Sequence, residues 1–167
     1  YAYGIGDTQR IVLWDTLTAD FDRDEVRSVV SHEFGHLQHD HIPKAIGWFA
    51  LFAFPAALIV TLLVRRRGGL GDPAAVPIAL LVVIVLQLVA SPLTSASSRR
   101  YEAEADWAAL AATRDPAAVV SLHHRFTEEA LSDPDPPEWF HWAFSSHPSG
   151  AERVAMAQAW RERSGGR

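Results

Sequence analysis

The chain has no cysteine. That excludes disulfide staples and thiolate metal ligands, so any metal centre must be built from imidazole and carboxylate. Nor does cysteine usage report the compartment. Excess positive charge is lacking too: 15 Lys and Arg stand against 20 Asp and Glu, and the net charge of −5 argues against a nucleic-acid partner. Tyr1–Asp15 lacks the basic start, apolar stretch and small-residue cleavage site of a signal peptide. It reads as folded sequence, and the expectation is a fragment of something longer. The 167 residues amount to one domain, without an internal repeat.

Two stretches lack charge altogether. One runs from Ala45 to Val64, the other from Pro73 to Ser98, with Ala74–Leu93 mostly apolar. A bilayer core takes about 20 apolar residues as helix, and both stretches qualify. The short link Arg65–Pro73 makes them an antiparallel hairpin. Trp48 suits an interfacial anchor. Pro55, Pro77 and Gln87 are tolerable where neighbouring groups satisfy the freed backbone. A pair of buried helices in a soluble core is the alternative, but soluble helices apolar all round at this length are uncommon. A hairpin returns the chain to the side it left, so 1–44 and 94–167 face one compartment. Arginines lie on both sides, so the positive-inside count does not orient it.

What is present, then, is a short motif: His32-Glu33-Phe34-Gly35-His36, or H-E-x-x-H. Asp22 with Glu25 resembles a capping box that starts a helix. Val26, Val29, Val30, Phe34 and Leu37 supply its apolar stripe, and its end is expected near His41-Ile42-Pro43. Residues four apart share a helix face. Two imidazoles so placed can grip one Zn²⁺, and the adjacent glutamate can reach a water held there. Elsewhere, Ile11–Trp14 reads as a strand. Arg99–Thr113 reads as helix, broken at Arg114-Asp115-Pro116. Pro116 opens another helix to about Leu131. Asp133–Pro137 is a stiff loop and Trp139–Phe144 an aromatic run. Ser149 with Glu152 caps a last helix to about Arg163, before a frayed tail, Ser164–Arg167.

A catalytic zinc site usually has three protein ligands and an open position. Glu102 is the candidate third ligand; the competing reading is a solvated residue paired with Arg99. Asp106, one turn on, can orient a ligand imidazole or be a plain surface charge. Glu104 points away from the Glu102 face. His39 returns to nearly the face of His32, but where the helix runs out. His147 is either a donor to a substrate carbonyl oxygen or a turn residue before a helix. His123, His124 and His141 show no partner pattern.

Taken in order, His32–His36, the hairpin, Glu102-Ala103-Glu104-Ala105-Asp106, and His147-Pro148 with Glu152-Arg153 resemble one family of membrane zinc metallopeptidases: the type I CAAX prenyl proteases and the HtpX-like proteases. Tyr3-Gly4, Arg10-Ile11-Val12 and Asp15-Thr16-Leu17 look like the prenyl-protease branch. The resemblance covers nearly the whole chain. It implies a mainly α, membrane-embedded, gluzincin-like metallopeptidase domain with a two-helix transmembrane hairpin and a short N-terminal β element. It implies one Zn²⁺ per chain on His32, His36 and Glu102, with Glu33 as general base and Asp106 behind the ligands. His147 and Arg153 would contact the substrate or oxyanion, and Ile11–Trp14 would pair with an extended substrate. The implied activity is zinc endopeptidase, on a peptide or protein substrate, in a multi-pass protein of the cell membrane. A non-catalytic zinc-binding membrane scaffold is the alternative. Single-domain organisation is expected: 1–44 strand and metal helix, 45–93 hairpin, 94–167 third-ligand and C-terminal helices. Family members carry further upstream transmembrane helices, expected partners alongside lipid, and an Asn-Ala pair before the stretch that begins here at Tyr1. No segment reads as a prenyl-binding site.

Overall fold

A computed structural model describes residues 1–69, 71–130 and 133–165. The chain opens with a two-stranded antiparallel ribbon, β1 (Ala2–Tyr3) and β2 (Arg10–Ile11), in the register Ala2 opposite Ile11 and Tyr3 opposite Arg10. The strand expected over Ile11–Trp14 is thus shorter and starts one residue earlier. Val12 still donates its N–H to Tyr1 O at 2.9 Å, but Trp14 already caps helix α1 (Asp15–Asp20).

Helix α2 spans Arg23–Gln38. Its capping glutamate does more than close the first turn. Glu25 accepts from Asp22 N at 2.9 Å, and its other oxygen accepts from Ser121 Oγ at 2.6 Å. Glu25 is therefore buried, and it ties α2 to α5 (Pro116–Ala130). Of the expected apolar stripe, Val26, Val29, Val30 and Leu37 are only half-buried. The buried positions of α2 are Glu25, Ser28 and Gly35, while Phe34, on the opposite side, is exposed. The reason is steric: α2 makes its largest contact with α4 (Val76–Thr113), and it approaches closely. A Cβ built on Gly35 would lie 3.0 Å from Ala105 Cα and 3.1 Å from Ala105 O. A larger side chain at Gly35 would separate the backbones.

Gly35 sits directly before His36, so a side chain here pushes the imidazoles off α4. Gly35→Val is expected to cost about 1–3 kcal/mol in overpacking and to lower retained metal after chelator dialysis. Wild-type retention would refute the close-approach argument.

The helix expected to run to His41–Pro43 stops at Gln38. Asp40 adopts a left-handed conformation (φ 53°), and α3 (His41–Arg65) starts immediately after it. Pro43 falls in the first turn of α3, where a missing N–H costs nothing. Both α3 and the apolar part of α4 are long and apolar enough to cross a bilayer. They form the expected hairpin. The membrane stretch and the Arg99–Thr113 helix, read separately from sequence, form one continuous α4 that carries Pro92 inside it.

Arg114, also left-handed at φ 52°, ends α4. The core, Leu110, Val119, Ala157 and Trp160, joins α4 and α5 to α7 (Gly150–Arg163). Ser149 and Glu152 form the capping box read from sequence: Glu152 N donates to Ser149 Oγ at 3.1 Å and Ser149 N to Glu152 Oε2 at 2.7 Å. Between α5 and α7 lies α6 (Glu138–Phe144), formed by the aromatic run. The expected α5 end at Leu131, and Gly166–Arg167 of the expected frayed tail, lie outside the described residues.

Candidate metal centre

Three donors from two distant segments converge. His32 Nε2 lies 3.0 Å from His36 Nε2 and 3.4 Å from Glu102 Oε2, and His36 Nε2 lies 3.4 Å from Glu102 Oε1. An ion about 2.0–2.1 Å from each of three donors in tetrahedral geometry needs them roughly 3.3 Å apart. The triangle meets that requirement. Among the described residues this is the clustered donor set; His39 is not in it, and its ring stacks on His41 instead.

The protons give a second test of fit. Burial alone would lower the His32 imidazole, but hydrogen bonds to Asp106 and Glu102 outweigh it and raise its pKa to about 9. Burial, then the charge on His32, lowers that of His36 to about 4. The two rings thus keep one proton at a point where a carboxylate also converges. A cation of higher charge suits that point better, and divalent ions displace such protons on binding.

The donors are held from behind. Asp106 Oδ1 lies 2.8 Å from His32 Nδ1, one helical turn after Glu102 on α4. A carboxylate only accepts, so Nδ1 carries the hydrogen and Nε2 is turned inward. Arg153 of α7 spans both acids, with Nη2 donating to Glu102 Oε2 at 2.6 Å and Nη1 to Asp106 Oδ1 at 3.0 Å. The substrate contact expected of Arg153 must come from whatever edge these two ion pairs leave. Its guanidinium compensates two buried carboxylates, a need no local spacing in the sequence announces.

His147 reaches Glu102 Oε2 with Nδ1 at 2.9 Å, and its side chain is exposed. Its loop is placed by α6, which Arg99 grips at its C-terminal end: Nη1 donates to His141 O at 2.8 Å and Ser145 O at 2.7 Å. Arg99, one sequence candidate to pair with Glu102, is thus employed elsewhere. Glu33, mostly buried, stands beside the triangle, with Oε1 3.7 Å from the backbone nitrogen of Tyr1 at the ribbon. A cavity of about 360 Å³ opens here, lined in part by His32, Glu33, Glu102, Phe126 and His147.

His123 also lines that cavity. The sequence shows no partner pattern for it. Burial, then the positive charge of Arg153, lowers its pKa from 6.5 to about 4. Between those values the unfolded chain binds a proton that the folded chain refuses. This ring therefore costs no stability above pH 6.5 and progressively more as pH falls toward 4. The loss from this ring is about 3 kcal/mol. His123→Gln should flatten the pH dependence of thermal unfolding in that window, and an unchanged slope would count against it.

The model of Peptidase family M48 matches residues 1–161. The metalloprotease YhfN of Bacillus subtilis is 31% identical over 168 residues, covering 95% of this chain and 39% of that protein. A CAAX prenyl protease 1 homolog of Dictyostelium discoideum is 32% identical over 116 residues, 64% of this chain and 27% of that protein. The crystal structure of Ste24p from S. mikatae superposes with a TM-score of 0.78 at 25% identity, covering 93% of this chain and 40% of that one. This chain thus spans about two fifths of the relatives matched along nearly its whole length.

Proposed function

Because the chain belongs to peptidase family M48, we propose that it is the metal-bearing portion of a membrane zinc endopeptidase. The carrying observation is the donor triangle His32, His36 and Glu102 beside Glu33. One Zn²⁺ per chain would polarise a scissile carbonyl and lower the pKa of water toward about 7.

This chain's residues supply the rest. Glu33 takes the proton from the attacking water and passes it to the departing amine nitrogen. His147, exposed on its loop, turns a ring N–H to the carbonyl oxygen as charge develops there. Asp106 keeps the His32 lone pair directed inward. Arg153 neutralises Glu102 and Asp106, and its edge near His147 (Nη2 to Nδ1 3.5 Å) is the proposed substrate contact. The β1–β2 ribbon passes beside Glu33. An extended peptide pairing along it would bring its scissile bond to the base.

Residues 1–44, 45–93 and 94–167 work as one peptidase unit within a multi-pass membrane protein. Its substrate is a peptide or protein. The name of the Dictyostelium relative makes C-terminal CAAX peptides the first class to try.

The test uses full-length protein. Zinc content is measured together with hydrolysis of quenched peptides, before and after chelation. About one zinc per chain with chelator-sensitive cleavage is expected. Zinc without cleavage of any peptide favours the non-catalytic scaffold, and protein without zinc removes both readings.

A further inference from the structure

A ligand imidazole is aimed by whatever holds its other nitrogen. For His32 that is Asp106. His36 has a holder too, from an unexpected place. His41 Nδ1 lies 2.9 Å from His36 Nδ1, and His41 Nε2 lies 3.2 Å from Glu104 Oε2. Glu104 is itself fixed by Arg100 Nε at 3.1 Å. The His41 ring is 3% exposed. It stacks on Tyr101, with centroids 4.7 Å apart and planes at 19°, and Trp48 Nε1 donates to Tyr101 Oη at 3.0 Å.

The proton order follows from donor and acceptor counting. Two Nδ1 atoms in hydrogen-bond contact share one hydrogen. Glu104 can only accept, so His41 Nε2 is the donor to it. The neutral His41 ring then offers its Nδ1 lone pair. His36 Nδ1 must carry the shared hydrogen, which leaves the lone pair of His36 on Nε2, facing the donor triangle.

We propose that His41, backed by Glu104, is a positioning residue that sets the tautomer and aim of His36. It rests on the reading of His36 as a metal ligand. The same contact ties the metal centre to the membrane hairpin. His41 is the first residue of α3, and the left-handed Asp40 turns the chain so that this residue meets α2 again. Glu104, on the far side of α4 from the ligand, completes the arrangement. One helix thereby supplies a ligand at Glu102 and an orienting carboxylate for each imidazole.

The test compares His41→Asn with His41→Leu in full-length protein, using Co²⁺ as probe. Asn places a carbonyl oxygen where His41 Nδ1 lies, so it keeps the acceptor; Leu keeps bulk without one. His41→Leu is expected to weaken Co²⁺ binding about 10–100-fold and to change the visible ligand-field absorption. His41→Asn should restore both close to wild type. Wild-type affinity and spectrum in His41→Leu would overturn the proposal, as would an Asn variant as weak as Leu. If His41→Leu loses its helical signal, Glu104→Leu decides: weaker Co²⁺ binding supports the relay, and unchanged binding overturns it. Wild-type protein that takes up no Co²⁺ would instead sink the metal-centre reading itself.

Discussion

Full-length protein carrying Glu33→Gln will keep about one zinc per chain and lose peptide cleavage by about 10²–10⁴-fold. Gln has the size and hydrogen-bonding reach of Glu but cannot take a proton at neutral pH. Metal retention should survive because the donors are His32, His36 and Glu102, and Glu33 is not among them. Its side chain is only 15% exposed, so an isosteric neutral replacement avoids leaving a void. Metal analysis and turnover must be read on the same preparation. Robust cleavage by this variant would falsify the assignment of the base; loss of zinc would mean that Glu33 has a structural duty not visible in its contacts.

Glu102→Ala should severely damage metal binding. It removes one of three donors, so the loss must exceed the about 100-fold cost of deleting an outer-shell partner. It also strips Arg153 of its shortest ion pair, at 2.6 Å, in a place where that side chain is 13% exposed. Removing one member of a buried pair costs about 3–5 kcal/mol, because the other charge stays behind. Two readouts should therefore fall together: zinc content after dialysis, and thermal stability of the metal-free protein. Arg153→Met separates them. It leaves the donors in place and should lower stability more than zinc content. Full zinc occupancy in Glu102→Ala would dismiss Glu102 as a ligand and break the triangle.

The helix of His32 and His36 was legible because its information is local. Asp22 and Glu25 mark its start, and spacing puts His32 and His36 on one face. The hairpin was legible because a bilayer demands long uncharged runs. The capping box of Ser149 and Glu152 was equally plain, since its two hydrogen bonds close within three residues. Glu102 was different. Composition alone left it beside a solvated alternative, and only ordered motifs across the chain raised it.

The errors share a cause. Periodicity makes Val26, Val29, Val30, Phe34 and Leu37 the packing stripe, yet these residues are half-buried or exposed, and α2 meets α4 closely at Gly35. Hydrophobicity reports what avoids water; it does not report where two backbones must come close. Gly35 carried the only local signal of that, a glycine inside a helix. Likewise, His41 and Glu104 looked unconnected because they are 63 positions apart.

From its residue order alone, this chain determined which segments are helical, which stretches can enter a bilayer, and which chemistry an H-E-x-x-H helix can support. Those are short-range properties, set by spacing, capping and transfer of apolar side chains from water. The tertiary structure decided which acid lies beside the imidazoles, which groups contact their outer nitrogens, and what neutralises the buried carboxylates. Such choices depend on distances between residues far apart in the chain, and those distances exist only after the hairpin closes and α7 docks on α4.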